Sequence, residues 1–197
     1  MSLQTQIVVS TATSLIGTFG TAAIAGYGAG ARLEYLLVPL VFGLGAPLVA
    51  MVGTNIGAGQ RARASHISWL GAAIALAMTE AIGLLAALFP DAWLLLFARD
   101  PAVLEAGRTY LRLVGPFYGF FGLGTAIYFA LQGAGRMAWP LLAALLRTAV
   151  AAGGGMLALH WTGRPEPVFL ALGAGLLALG TVNALALASG AAFGTRE

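Results

Sequence analysis

Cysteine is absent from this 197-residue chain, and so is lysine: all ten basic residues are arginine. Without cysteine there is no disulfide framework and no thiolate metal site. Charge of either sign is scarce, at 9% of residues, where a soluble domain carries about 25%. The net charge of +3 is small and scattered, which excludes a nucleic-acid-binding surface. The two histidines, His66 and His160, are far apart. No metal-spaced cluster and no nucleophile–base pair stands out, so the expectation is no enzyme, no catalytic residue, no bound metal and no cofactor. Residues 1–31 lack charge, so the basic segment that opens a signal peptide is missing.

What the chain does contain is apolar residues, 59% of the total, with a mean hydropathy of +0.89. A water-soluble fold of that composition could not cover its surface with polar groups, whereas a bilayer accepts apolar side chains. A span needs about 20 apolar residues to cross the ~30 Å hydrocarbon layer. The uncharged runs predict an all-α membrane protein, a six-transmembrane-helix bundle, with spans at about 3–25, 36–56, 67–89, 113–131, 141–161 and 168–189. The runs are continuous and do not alternate, which favours helices over a barrel. A single lobe fills residues 1–197 and leaves no room for a soluble domain.

Local signals set the predicted boundaries. Gly26-Tyr27-Gly28-Ala29-Gly30 loosens the backbone after the first span. Arg32 and Glu34 then mark a water interface. Asp100-Pro101 reads as an N-cap followed by proline at the first helical position. Pro116 kinks the fourth span near its start. Gly57-Ala58-Gly59-Gln60 and Gly133-Ala134-Gly135-Arg136 lack the Lys-Ser/Thr of a phosphate-binding loop and read as sharp helix exits. Gly43-Leu44-Gly45 before the first exit and Gly122-Leu123-Gly124 before the second suggest that spans one to three and four to six are related units. Gly53 and Gly57, and Gly115 and Gly119, are four apart, which suits close helix packing or a sliding interface.

Charge inside hydrocarbon costs roughly 2.5–3.5 kcal/mol on insertion scales, so two residues require an account. Glu80 lies within the third predicted span. It either binds a coupling cation, proton or cationic substrate, or stays protonated or hydrogen-bonded within the bundle. Arg147 lies within the fifth and either snorkels to the nearer surface or pairs inside, with Glu80 as one candidate partner. Tyr128, Gln132, Asn55 and Asn183 are polar residues in or near spans. They read as packing or helix-exit residues, with a ligand role as the alternative.

Several motifs then fall into a known order. Arg32-Leu33-Glu34, Val38-Pro39, Gly43-Leu44-Gly45-Ala46 and Val52-Gly53-Thr54-Asn55-Ile56-Gly57-Ala58-Gly59-Gln60 resemble a stretch of multidrug and toxic compound extrusion (MATE) transporters. Tyr110-Leu111-Arg112-Leu113-Val114-Gly115-Pro116 and Leu131-Gln132-Gly133-Ala134-Gly135-Arg136, followed by Pro140 and Leu146-Arg147, resemble the same family's later lobe. The resemblance covers roughly residues 2–185 and implies only the C-terminal six-helix lobe of a twelve-helix transporter. The opening Ser2-Leu3-Gln4-Thr5 looks like the interior of that lobe's first helix, which implies an N-terminally truncated or split product.

The same resemblance implies one lobe of a secondary-active multidrug or organic-cation efflux antiporter, driven by sodium or proton influx. It also implies a multi-pass position in the inner (plasma) membrane with both termini inside. The expected partners are the lipid bilayer, organic cations or drugs, and a second MATE-like lobe, as a separate chain or a homodimer. The alternative is a non-transporting remnant or an assembly subunit of a split transporter. The cation-binding acid pair that some branches carry on the first and fourth helices of this lobe has no counterpart here, so that site does not carry over.

Overall fold

The computed structural model describes residues 3–190, and among these there are helices and no strand. Helix α1 (Leu3–Gly17) turns at Gly20 into α2 (Thr21–Gly57), which runs for 37 residues, about 55 Å at 1.5 Å per residue. Helices α3 (Arg61–Leu88), α4 (Pro90–Leu94) and α5 (Pro101–Val114) follow. A 3-10 turn at Gly115–Phe117 joins α5 to α6 (Tyr118–Gly133). A π-helical segment at Ala149–Gly153 joins α7 (Ala138–Thr148) to α8 (Gly154–Thr162), and α9 (Pro165–Ala188) closes the bundle. Ser2 and the tail beyond Gly190, with Arg196, lie outside the described residues.

Five helical stretches among the described residues are long and apolar enough to cross a membrane: Thr21–Gly57, Arg61–Leu88, Pro101–Gly133, Ala138–Thr162 and Pro165–Ala188. A shorter apolar helix covers Gln6–Gly17. The chain is a multi-pass membrane protein built as a helical bundle.

Two expected boundaries move. The loosening foreseen at Gly26–Gly30 does not occur, and the chain breaks earlier, at Thr18–Gly20, where Gly20 has φ +102°. Residues 26–34 therefore belong to a continuous helix and not to a water-facing loop. Contact explains why. A Cβ on Gly26 would stand 2.5 Å from the Val103 carbonyl, and one on Gly30 would stand 2.5 Å from the Tyr110 ring. These glycines stay helical because their missing side chains let α2 lie against α5. The fourth predicted span also starts earlier than expected, at Pro101, where the Asp100 side chain accepts from the amides of Ala102 (2.8 Å) and Val103 (3.3 Å). Pro116 sits in the 3-10 turn, so the missing N–H costs only a local break.

Glycine and carbonyl contacts fix the direction of each helix. Gly26 meets α5 near Gly107, Gly45 meets Phe129 and Gly53 meets Gly133, so α2 runs parallel to α5–α6. Gly83 against Gly115 and Glu80 against Gly119 set α3 antiparallel to them. Phe117 fills the gap left at Gly173, and Phe120 lies at Gly180, so α9 runs parallel to α6. The two Gly-Ala-Gly segments leave their helices alike. Gly59 (φ +73°) and Gly135 (φ +70°) take the left-handed conformation, with Gln60 N donating to Asn55 O (2.8 Å) and Arg136 N donating to Leu131 O (2.9 Å). At the bundle centre the rings of Tyr27, Tyr110 and Phe169 meet pairwise at 5.3–6.3 Å between centroids.

Candidate functional site

Arg147 lies in the last turn of α7, ten residues into the stretch Ala138–Thr162. Its Nη2 donates to Oε1 of Glu34 on α2 at 2.9 Å, and the side chains are 16% and 23% exposed. The guanidinium carbon also stands 5.9 Å from the centre of the Phe121 ring. Glu34 thus becomes Arg147's partner because α2 stays helical past residue 30, which carries its carboxylate into the bundle. A charge pair removed from water must hold itself together, because removing one partner strands the other at a cost of about 3–5 kcal/mol.

Beside the pair is a cavity of about 40 Å³, lined by Glu34, Arg147, Tyr27, Tyr35 and Tyr110, with aliphatic walls that include Val8 and Leu176. That volume accommodates water, since one water needs roughly 10–15 Å³ on this measure. Tyr118 on α6 is fully buried, and its hydroxyl has no hydrogen-bond partner among the described residues. A carboxylate, a guanidinium and three tyrosines therefore line one cavity inside a largely apolar bundle.

Glu80 does something different. Its Oε2 accepts from the backbone N–H of Gly119 at 2.7 Å. Gly119 is the second residue of α6, just past the 3-10 turn, where N–H groups lack intrahelical partners. The carboxylate satisfies one of them and complements the positive end of the helix dipole. A Cβ on Gly119 would stand 2.5 Å from that oxygen, so glycine makes the approach possible.

The other sequence candidates are dispersed. Tyr128 is half-buried on α6, edge-on to Phe129 at 5.3 Å. Gln132 is exposed at the end of α6, where its carbonyl accepts from Gly135 N. Asn55 Nδ2 donates to Met51 O at 2.7 Å near the end of α2. Asn183, fully buried on α9, donates to the Gly124 carbonyl at 3.0 Å and leaves its Oδ1 unpartnered. The structure brings none of these to the Glu34–Arg147 pocket. Sequence reading passed over Glu34 and the pocket's tyrosines. The available signal was the helical spacing of Tyr27, Ala31 and Glu34 at i, i+4, i+7.

Outside the spans, Asp91 on α4 takes two hydrogen bonds from Arg108, Nε to Oδ1 at 2.7 Å and Nη2 to Oδ2 at 3.0 Å. These hold the Asp91 carboxyl below the usual carboxylate range. Trp93 Nε1 donates to the Ala29 carbonyl at 2.9 Å, which further pins α4 to α2.

With this geometry in view, residues 2–154 match the MatE family. The chain belongs to the MATE family. Two structures of the Vibrio cholerae MATE transporter VcmN, one of a mutant and one of the bent form, share its fold at TM-scores of 0.85 and 0.86, with 23% identity. The similarity covers 93% and 97% of this chain but 42% and 43% of those. Among curated relatives, a probable multidrug resistance protein NorM of Thermotoga maritima is 25% identical over 62% of this chain and 26% of its own length. A FAD transporter of Shewanella oneidensis is 35% identical over 55% of this chain and 24% of its own length. This MATE chain therefore spans about a quarter of the curated relatives it matches and about two fifths of the solved ones.

Proposed function

We propose that this MATE chain is one lobe of a secondary-active efflux antiporter for drugs and organic cations, driven by sodium or proton influx across the inner (plasma) membrane. A second MATE-like lobe, supplied by a separate chain or by another copy, completes the central cavity. The observation that carries this reading is the Glu34–Arg147 pair beside a water-sized cavity within the spans. Ionisable groups placed inside a membrane bundle mark substrate or ion pathways. Family membership and the transporter names of the matched relatives support it.

The test is ethidium efflux from cells expressing this chain with and without a MATE N-terminal lobe. Efflux that requires the second lobe is the expected result. Its absence with any partner, including a second copy, overturns the reading. A second reading is an assembly subunit or remnant of a split transporter. That reading predicts insertion and association with no efflux.

A further inference from the structure

We propose that Arg147 is a built-in competitor for the transported cation, and that an organic monocation and the Arg147 guanidinium take turns on the Glu34 carboxylate. This rests on the efflux reading above and names the counter-ion of its substrate. The surroundings of Glu34 fit a soft cation. A carboxylate stands among Tyr27, Tyr35 and Tyr110, and the ring of Phe121 lies 5.9 Å from the guanidinium carbon. Aromatic faces around an anion are the chemistry that holds alkylammonium and arylphosphonium groups. In this structure the positive charge comes from the chain itself.

The bond between the two is built for exchange. Arg108 grips Asp91 with two nitrogens, the strong fork-to-fork geometry. Arg147 reaches Glu34 with one, and it makes no other hydrogen bond among the described residues. A guanidinium offers five N–H donors, and one of them is spent on Glu34. Tyr35, 38% exposed, lines that cavity. The π segment Ala149–Gly153 begins two residues beyond Arg147, and Gly153, Gly154 and Gly155 follow in series. A π turn holds one residue more than an α turn and commonly marks a functional site. The α7 backbone stays on α9, where a Cβ on Gly175 would stand 3.1 Å from the Arg147 carbonyl, so the guanidinium withdraws by turning its own side chain.

The test measures tetraphenylphosphonium binding to the chain in phosphatidylcholine nanodiscs. R147Q should bind at least about tenfold more tightly than the unaltered chain. E34Q and the E34Q/R147Q double variant should not share that gain. Equal affinity for R147Q, or a gain that persists in the double variant, overturns the proposal. Because R147Q leaves Glu34 unpaired and could fold poorly, the unaltered chain supplies a second readout. Saturating tetraphenylphosphonium should speed phenylglyoxal modification of Arg147, followed by mass spectrometry of its peptide. An unchanged or slower rate overturns the exchange. Tight binding without efflux in partnered cells would keep the exchange and remove the transport reading. Efflux without the affinity gain would do the reverse.

Discussion

Glu80 and Gly119 are 39 positions apart, yet the carboxylate of one accepts the backbone N–H of the other at 2.7 Å. The contact braces the point where Pro116 interrupts the helix. Gly119→Ala places a methyl where the Glu80 oxygen sits, so the carboxylate must move and the N–H loses its acceptor. The expected loss is roughly 1–3 kcal/mol, read as a lower unfolding temperature in detergent. A stability equal to the parent would show that the bond is not needed.

Glu80→Gln keeps a neutral acceptor of the same shape. It should insert normally, with a small loss from the weaker dipole interaction, about 0.3–1 kcal/mol. In a partnered efflux assay it also separates the two roles considered for Glu80. Altered pH or sodium dependence would mark titration during transport, and unchanged dependence leaves the helix-bracing role alone.

Gly53 and Gly57, four residues apart on α2, are not equivalent. A Cβ on Gly53 would meet the Gly133 carbonyl at 3.1 Å, while one on Gly57 meets open space. Gly57→Ala should change stability by no more than about 0.5 kcal/mol. Gly53→Leu should cost roughly 1–3 kcal/mol by forcing α2 from α6. Thermal unfolding of both variants side by side checks the contrast, and equal losses would contradict it.

Asp91 titrates below an ordinary carboxylate because Arg108 hydrogen-bonds it. Its folded value is depressed, so its stabilising contribution is present above the unfolded value and fades as pH falls through the folded one. Carboxyl carbon NMR of Asp91 should show a midpoint below the usual range near 3.9. Arg108→Gln should move the midpoint upward. A midpoint that ignores the substitution would show that the pair does not persist in solution.

Asn183 spends its amide on the Gly124 carbonyl between α9 and α6. Hydrogen bonds between membrane helices average about 0.6 kcal/mol and reach about 1.7. Asn183→Ala should fall within that range, with the small cavity it leaves adding to the loss. A neutral outcome in thermal unfolding would assign the contact to packing alone.

The sequence by itself determined the solvent and the class of fold. Long uncharged runs can satisfy their backbone in lipid only as helices, and local signals such as Asp100-Pro101 and the two Gly-Ala-Gly exits act over a few residues, so they are readable in order. The family was legible for the same reason, through motifs in fixed succession. The fate of Gly26–Gly30 was not, because glycine weakens a helix locally yet stays in one where a neighbour presses against it, and only the position of α5 decides which. Arg147 was visible as a charge needing a partner. That Glu34 is this partner, 113 positions away, depended on α2 staying helical and on α7 packing beside it, which tertiary structure alone decided.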